Sequence, residues 1–595
     1  MCMYFLILIR KLNRNGHVLL ILMTLELGSH SQEEQEETSQ DEIINVHIRK
    51  NSYYNISRSF LNLGFPHLFF KWSKFPMKSP QALSLSLALP DTIIRIYGTP
   101  IFTPEDEVYF AERNNEDWEI KRRKKKREDN REDETDENIT EKVNGSHAQL
   151  VGHKPRELIL TKTVWQEVVE FATTVKWDFM FGFTAFSHIN GVWDTRYAIT
   201  FLEWCSKEKI PIPEFQLGNE PNLYAKYLNI NGSTVANDFS VFRNLLKRFP
   251  FYNSSKIIGP DVTRFNASKK YFESFLKANG CDYVDEIAFH HYYFKDDAKF
   301  ENFMDVKLLN NYKVHLEVGK ELMEKYNCSK PLRLTETSSA SGGGVLNLSD
   351  TFVAGFTWMD KFGQSALHNI TKIFRHSYFG GIYSLVNKKL KPNPDYYLTL
   401  MFKRYVEGPV LTVKSNRPRH IRIYANCARE YKPGSLVIYL MNLSDMKEYI
   451  NFTSFSTQTV SVFRFTAYEE DLQSKRVLLN GEELVMTGSN LPYMKESREL
   501  GDRILIPPYS YNFIFVTEAR AKQCINYFQQ DSSKDQNGNQ DTKNTVEVNA
   551  TTGKHNTDSD DDSNNGCLSK LRTDVAAAGS ILIIYLIVNS VLLVL

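Results

Sequence analysis

Two glutamates carry the chemistry that can be read in this sequence. Glu220 closes the stretch Glu214-Phe-Gln-Leu-Gly-Asn-Glu-Pro-Asn222. Phe215 and Leu217 alternate as on a strand with an apolar face, and Pro221 lacks the N–H a central strand must donate. Asn219 and Glu220 therefore stand where the strand ends. Glu336 lies in Leu332-Arg-Leu-Thr-Glu-Thr-Ser-Ser-Ala-Ser-Gly-Gly-Gly344, with the same layout of apolar strand, carboxylate, hydroxyls and glycines. Two strand-end carboxylates far apart in the chain are what a glycosidase needs. One protonates the leaving oxygen, and the other, ionised, attacks the anomeric carbon. Carboxyl groups about 5–5.5 Å apart retain configuration, and groups about 6.5–9.5 Å apart invert it. This chemistry calls for no metal and no cofactor.

Such residues need a rigid frame. Between about 150 and 400, strand patterns alternate with helical ones. Strands are expected over 177–182, 214–217, 256–261, 286–293, 332–336 and 377–383, and helices over 196–207, 239–248, 269–278 and 351–362. Repeating βα units build a parallel sheet, and this many close it. The expected fold is α/β, a (β/α)8 TIM barrel at 151–404. Short alternating strands at 405–525 predict a C-terminal β-sandwich domain. Thr92-Ile-Ile-Arg-Ile-Tyr-Gly98 reads as a further buried strand, in an N-terminal fragment at 45–110.

The remaining segments read as address and tether. Residues 1–29, basic and then apolar, form a signal peptide pattern. The charged stretch 111–150 contains Lys121-Arg-Arg-Lys-Lys-Lys-Arg127 and reads as a disordered, excisable linker. Residues 526–574 form a polar stalk. The apolar run Val575–Leu595 follows small residues and a short spacer, the layout of a GPI signal; a retained membrane helix is the alternative. Asn55, Asn231, Asn266, Asn347 and Asn442 lie in N-glycosylation sequons, whose density fits the secretory pathway. The destinations expected are the cell surface through a GPI anchor, or endolysosomal or secreted after release. A net charge of +1 offers no general argument for a polyanion such as nucleic acid. Of seven cysteines, Cys427 and Cys524 flank the C-terminal domain and are candidates for one bridge; others within the folded part read as buried thiols.

Taken together, Gln216-Leu-Gly-Asn-Glu-Pro-Asn222, His290-His-Tyr-Tyr293 and Thr335-Glu-Thr-Ser-Ser-Ala-Ser-Gly-Gly-Gly344 resemble the heparanases, endo-β-glucuronidases of glycoside hydrolase family 79. The likeness is collinear and covers roughly 50–110 and 150–525. It implies a retaining hydrolase of internal glucuronic acid–glucosamine bonds in heparan sulfate, with Glu220 as acid/base and Glu336 as nucleophile. It also implies a barrel and sandwich completed by the N-terminal fragment, so that linker excision leaves a heterodimer. Asn219 would bond a sugar hydroxyl. His290 and Tyr292, on one face of their strand, would hold the nucleophile's side, with His291 and Tyr293 pointing away. Tyr383 and the N–H groups of Gly342 and Gly343 would meet the uronate. Arg264, Lys269 and Lys270 match a sulfate-binding segment, and Thr99 a cleft position. Pro66, Asp297 and Ser341 stand where the family has a cleft aspartate, arginine and tyrosine. A non-catalytic heparan-sulfate-binding decoy and an exo-β-glucuronidase are the competing readings.

Overall fold

The computed structural model describes residues 43–530, apart from 67–74, 98–99, 104–108, 115–116, 123–149, 152–153, 156–157 and 418, together with 7–12 and 18–23. Thr99, most of the basic run, the stalk from 531 and the apolar tail lie outside the described residues. Among those described, no helix is long and apolar enough to cross a membrane.

The folded part begins with β1 (Ile43–Ile56), which belongs to the C-terminal sheet. Eight parallel strands then close a barrel in chain order: β2 (Leu61–Pro66), β3 (Ile93–Tyr97), β4 (Asp178–Phe183), β5 (Glu214–Leu217), β6 (Lys256–Val262), β7 (Glu286–Lys295), β8 (Leu332–Ser341) and β9 (Ile370–His376). Strand β9 pairs back onto β2. The surrounding helices are α1 (Pro80–Leu87), α2 (Lys162–Val175), α3 (Arg196–Lys207), α4 (Pro221–Leu228), α5 (Gly232–Lys247), α6 (Phe265–Lys277), α7 (Val306–Lys325), α8 (Ala354–Leu367) and α9 (Pro394–Tyr405).

The period of two along each strand fills the barrel in tiers. At the bottom, Arg333 bonds Glu286 at 2.6 and 2.9 Å and also grips Glu214. Above it Ile93, Met180, Ile258, Ala288 and Phe374 form a separate apolar layer. One step further along the same strands come Arg95, Gln216, His290 and His376, all buried. Glu214, which opens the first catalytic-looking stretch, is thus structural.

The C-terminal sheet runs β15 (Ile504–Ile506), β13 (Glu448–Phe452), β1, β10 (Val406–Ser415), β11 (Ile421–Ala428), β12 (Leu436–Asn442), β16 (Ser510–Val516) and β14 (Thr459–Ala467), continued by short strands to eleven. It folds over its own core: Leu436, Ile438 and Leu440 join Ile450, Phe452 and Ile504. The alternate residues Val437, Tyr439 and Met441 join the barrel's core. Both faces are apolar because both are covered.

Three expectations are corrected. The strand placed at 377–383 lies at 370–376; Lys372, Arg375 and His376 interrupt its apolar pattern and hid it. Cys281 and Cys328 are not thiols but bridged, as are Cys427 and Cys524; Cys205 is a buried thiol. The first bridge closes a separation of 47 residues, worth about 4 kcal/mol in the chain-entropy view. Asn442 is fully buried, and its Nδ2 donates to Met446 O (2.6 Å) and Pro507 O (3.0 Å), which leaves no room for a glycan. Asn55, Asn231, Asn266 and Asn347 are exposed.

Candidate active site

Both glutamates sit at the C-terminal mouth of the barrel, and local backbone devices aim them. Glu220 follows β5 with φ at +49°, in the left-handed region that non-glycine residues avoid. Its N–H donates to Asp261 O at 3.0 Å, and Asp261 itself has φ of +62°. Pro221 opens α4, where a missing N–H costs nothing. Asn222 and Thr263 exchange two hydrogen bonds (2.8 and 3.0 Å), tying the ends of β5 and β6. Such unfavourable backbone persists only where its surroundings impose it, and that pattern marks functional sites.

Glu336 is aimed by a bulge. The β7–β8 register pairs Phe289 with Leu334 and then His290 with Glu336, so Thr335 is an extra residue. Thr335 and Glu336 consequently both turn inward: Thr335 Oγ1 donates to Asp261 Oδ1 (2.5 Å), while Glu336 accepts from Tyr292 OH (2.7 Å) and Arg95 Nη1 (3.0 Å).

Arg95 is the hub. Its Nε donates to Gln216 Oε1 (2.6 Å), and its Nη2 to Asn219 Oδ1 (2.8 Å) and Asp261 Oδ2 (2.5 Å). Its guanidinium lies 3.7 Å over the Tyr97 ring, and Tyr97 OH bonds His376. His290 stands between the acids: Nδ1 is 2.9 Å from Glu220 Oε1 and 3.9 Å from Glu336 Oε2, and Nε2 is 3.2 Å from Asp261 Oδ1. Oxygens of Glu220 and Glu336 and a nitrogen of His290 all lie within 4.8 Å of one another. Although burial opposes it, Asp261 and Glu336 push the His290 pKa up to about 10. Both imidazole nitrogens face carboxylates, as suits a cation that can donate from each.

The two glutamates are driven apart electrostatically. Burial raises the Glu220 pKa, and His290 offsets that only in part. Burial also acts on Glu336, but the charges of His290, His376 and Arg95 and the Tyr292 hydrogen bond outweigh it and hold Glu336 at about 2. Glu220 therefore keeps its proton to higher pH than Glu336 does, the ordering that an acid and a nucleophile require. Glu220 Oε2 is buried and has no hydrogen-bond partner among the described residues, which leaves it free for a substrate oxygen.

Asn219, His290, Tyr292 and Tyr383 are brought to this site; the Tyr292 and Tyr383 rings stack 6.5 Å apart. His291 and Tyr293 face outward onto Lys361 and Asp360. The turn after β8 carries Gly342 and Gly343 with φ of +85° and +103°. Lys269 and Lys270 are exposed on α6. Arg264 caps that helix and lies by His291 and His315, lowering both pKas behind their burial. Arg95, Gln216, Asp261, Tyr97 and His376 were not expected. The signal for Arg95 and Asp261 was a charge inside an apolar strand.

Residues 133–363 match the N-terminal domain of glycosyl hydrolase family 79. The heparanase of Bos taurus is 34% identical over 371 residues, spanning 60% of this chain and 68% of the relative. Inactive heparanase-2 of Homo sapiens is 29% identical over 392 residues, 62% of this chain and 66% of the relative. In fold, the chain is similar to a 4-O-α-L-rhamnosyl-β-D-glucuronidase from Fusarium oxysporum (TM-score 0.55, 16% identity, 79% of this chain and 100% of the other). With its paired glutamates held in an eight-stranded barrel, this chain belongs to glycosyl hydrolase family 79, among its heparanase-like members.

Proposed function

We propose that the chain is a retaining endo-β-glucuronidase that hydrolyses internal glucuronic acid–glucosamine bonds of heparan sulfate. One observation carries the reading: Glu220 and Glu336 present oxygens within 4.8 Å of each other in opposite electrostatic settings. Carboxyl groups whose oxygens come this close suit retention, which uses a separation of about 5–5.5 Å, better than inversion, which leaves about 6.5–9.5 Å for a water. Tyr292 and Arg95 hold the Glu336 carboxylate while it attacks the anomeric carbon. Glu220 delivers its proton to the glycosidic oxygen, and the His290 cation stabilises the carboxylate left behind. Glu220 then takes a proton from the water that opens the glycosyl–enzyme bond. Asn219 bonds a sugar hydroxyl, Tyr383, Gly342 and Gly343 meet the uronate, and Arg264, Lys269, Lys270 and Thr99 contact the flanking chain.

Glu336→Gln tests this on heparan sulfate: wild type shortens the polymer and the variant does not, though it still binds heparin. Failure of both to cut any sulfated or unsulfated glucuronan establishes a binding decoy, and release of monosaccharide alone establishes an exo-enzyme. The tether is part of the proposal: phospholipase should shed the protein from the cell surface if Val575–Leu595 is exchanged for a GPI anchor. Linker excision is supported by the parallel pairing of Pro100–Thr103 with Leu158–Thr161, which keeps both sides of the linker joined. N-terminal sequencing of the mature protein checks it by finding two starts.

A further inference from the structure

The glycine turn after β8 has an acid at one end and the proposed site at the other. A Cβ placed on Gly344 would lie 2.8 Å from Tyr383 Cδ1, so the turn closes directly on that ring. Tyr383 stacks on Tyr292, whose hydroxyl holds Glu336. Two residues back, a Cβ on Gly342 would lie 2.8 Å from Asp296 Cγ and 2.9 Å from its Oδ2. The Asp296 carboxylate therefore rests on the same turn that lines the site. Asp296 is exposed and has no ion-pair partner among the described residues. Its neighbours Lys295 and Asp297 roughly cancel.

Among the described residues, the two buried arginines near this wall are both engaged elsewhere. Arg95 is occupied by Gln216, Asn219, Asp261 and Glu336. Arg375 donates to Tyr383 O at 2.6 Å and pairs with Asp395 at 2.7 Å. In the proposed reading the uronate on this turn is met by the Gly342 and Gly343 N–H groups, whereas a further anion, a sulfate beside it, would meet the Asp296 carboxylate with neither Arg95 nor Arg375 free to offset it.

We propose that Asp296 is a specificity-determining residue that directs cleavage to unsulfated, N-acetylated segments of the glucuronan. The inference rests on the proposed endo-glucuronidase activity and narrows its substrate. Two unit charges within a Debye length of each other at a protein rim alter affinity by about three- to tenfold, and added salt erodes the effect.

The test compares an unsulfated N-acetylated hexasaccharide with its N- and 6-O-sulfated counterpart. Wild type should favour the unsulfated one in kcat/KM, and Asp296→Asn should shrink that ratio about three- to tenfold at low salt and less at high salt. Asp297→Asn should shift it less. The same pair of oligosaccharides bound to E336Q and to E336Q/D296N reads the preference without turnover. Loss of cleavage in wild type alone counts against the proposed reaction; an unshifted binding ratio, or an equal shift from Asp297→Asn, overturns the assignment of Asp296.

Discussion

Replacing His290 with glutamine should move both limbs of the pH–activity profile to higher pH. Glutamine can keep a hydrogen bond to Glu220 but removes the positive charge. In the wild type Glu336 titrates at about 2, so its ionisation should limit activity only in strong acid. His290 Nδ1 lies 3.9 Å from Glu336 Oε2. At an effective dielectric constant of about 20 that pair contributes about 4 kcal/mol, or about 3 pKa units as a ceiling. Arg95 and Tyr292 remain, so an upward shift of about 1–3 units is expected. The sign follows directly: the nucleophile must be ionised, its pKa rises, and activity is lost at a higher pH as the solution is acidified. Glu220 loses a cation 2.9 Å away that had been lowering its pKa, so it keeps its proton further into the alkaline range. The assay is kcat/KM against pH on one uncharged-flank oligosaccharide at fixed ionic strength, with unfolding followed in parallel. A fall in activity with both limbs unmoved would reduce His290 to packing. An acid-ward shift of either limb would refute the electrostatic account.

Two further changes test the frame. Lys403 is buried and bonds Leu61 O (2.7 Å) and Asp91 O (3.3 Å), and burial lowers its pKa to about 7. Since an unfolded lysine titrates near about 10.4, the unfolded chain holds the extra proton between these values, and stability rises with pH there. Wild type should gain about 2 kcal/mol on Lys403→Met between pH 7 and 9 in urea unfolding, whereas a flat difference would show that Lys403 is not desolvated as described. Gly363, on α8, lies under Tyr424 so closely that a Cβ would meet the ring at 2.3 Å. Gly363→Ala should cost about 1–3 kcal/mol by overpacking, and an unchanged unfolding midpoint would falsify that contact.

The two glutamates could be read from sequence because each follows a short apolar run of period two: Pro221 bars the strand from passing Glu220, whereas β8, expected to end at Glu336, in fact runs on to Ser341. His290 and Tyr292 were legible for the same reason. Their partners were not. Arg95 lies inside Ile-Ile-Arg-Ile-Tyr, and nothing local says that its charge is matched by Asp261, 166 residues away. The bulge at Thr335 depends on the register between two strands, which neither strand encodes alone. The Cys281–Cys328 bridge joins the end of α6's connection to the end of α7's, a proximity that exists only once both helices pack. Asn442 satisfies a sequon, but its amide is needed by the β12 corner, and burial decides the matter.

The same alternation that feeds the site ties it to the sandwich. Along β7, His290 and Tyr292 face the glutamates, while His291 and Tyr293 face α8. Tyr293 OH donates to Asp360 Oδ2 at 2.9 Å, and Asp360 Oδ1 accepts from Arg422 Nε and Tyr424 OH, both at 2.5 Å on sandwich strand β11. Beside it, Lys361 Nζ lies 2.6 Å from His291 Nδ1 and within 3.8 and 3.9 Å of the Tyr293 and Tyr312 ring centres. Burial pushes the pKa values of both Lys361 and His291 down. Removing Arg422 would strand a fully buried Asp360, a loss of about 3–5 kcal/mol felt at the strand that positions His290 and Tyr292. The sandwich is therefore not an appendage to a self-sufficient barrel: its arginine sets the counter-charge behind the very strand on which half of the site is built.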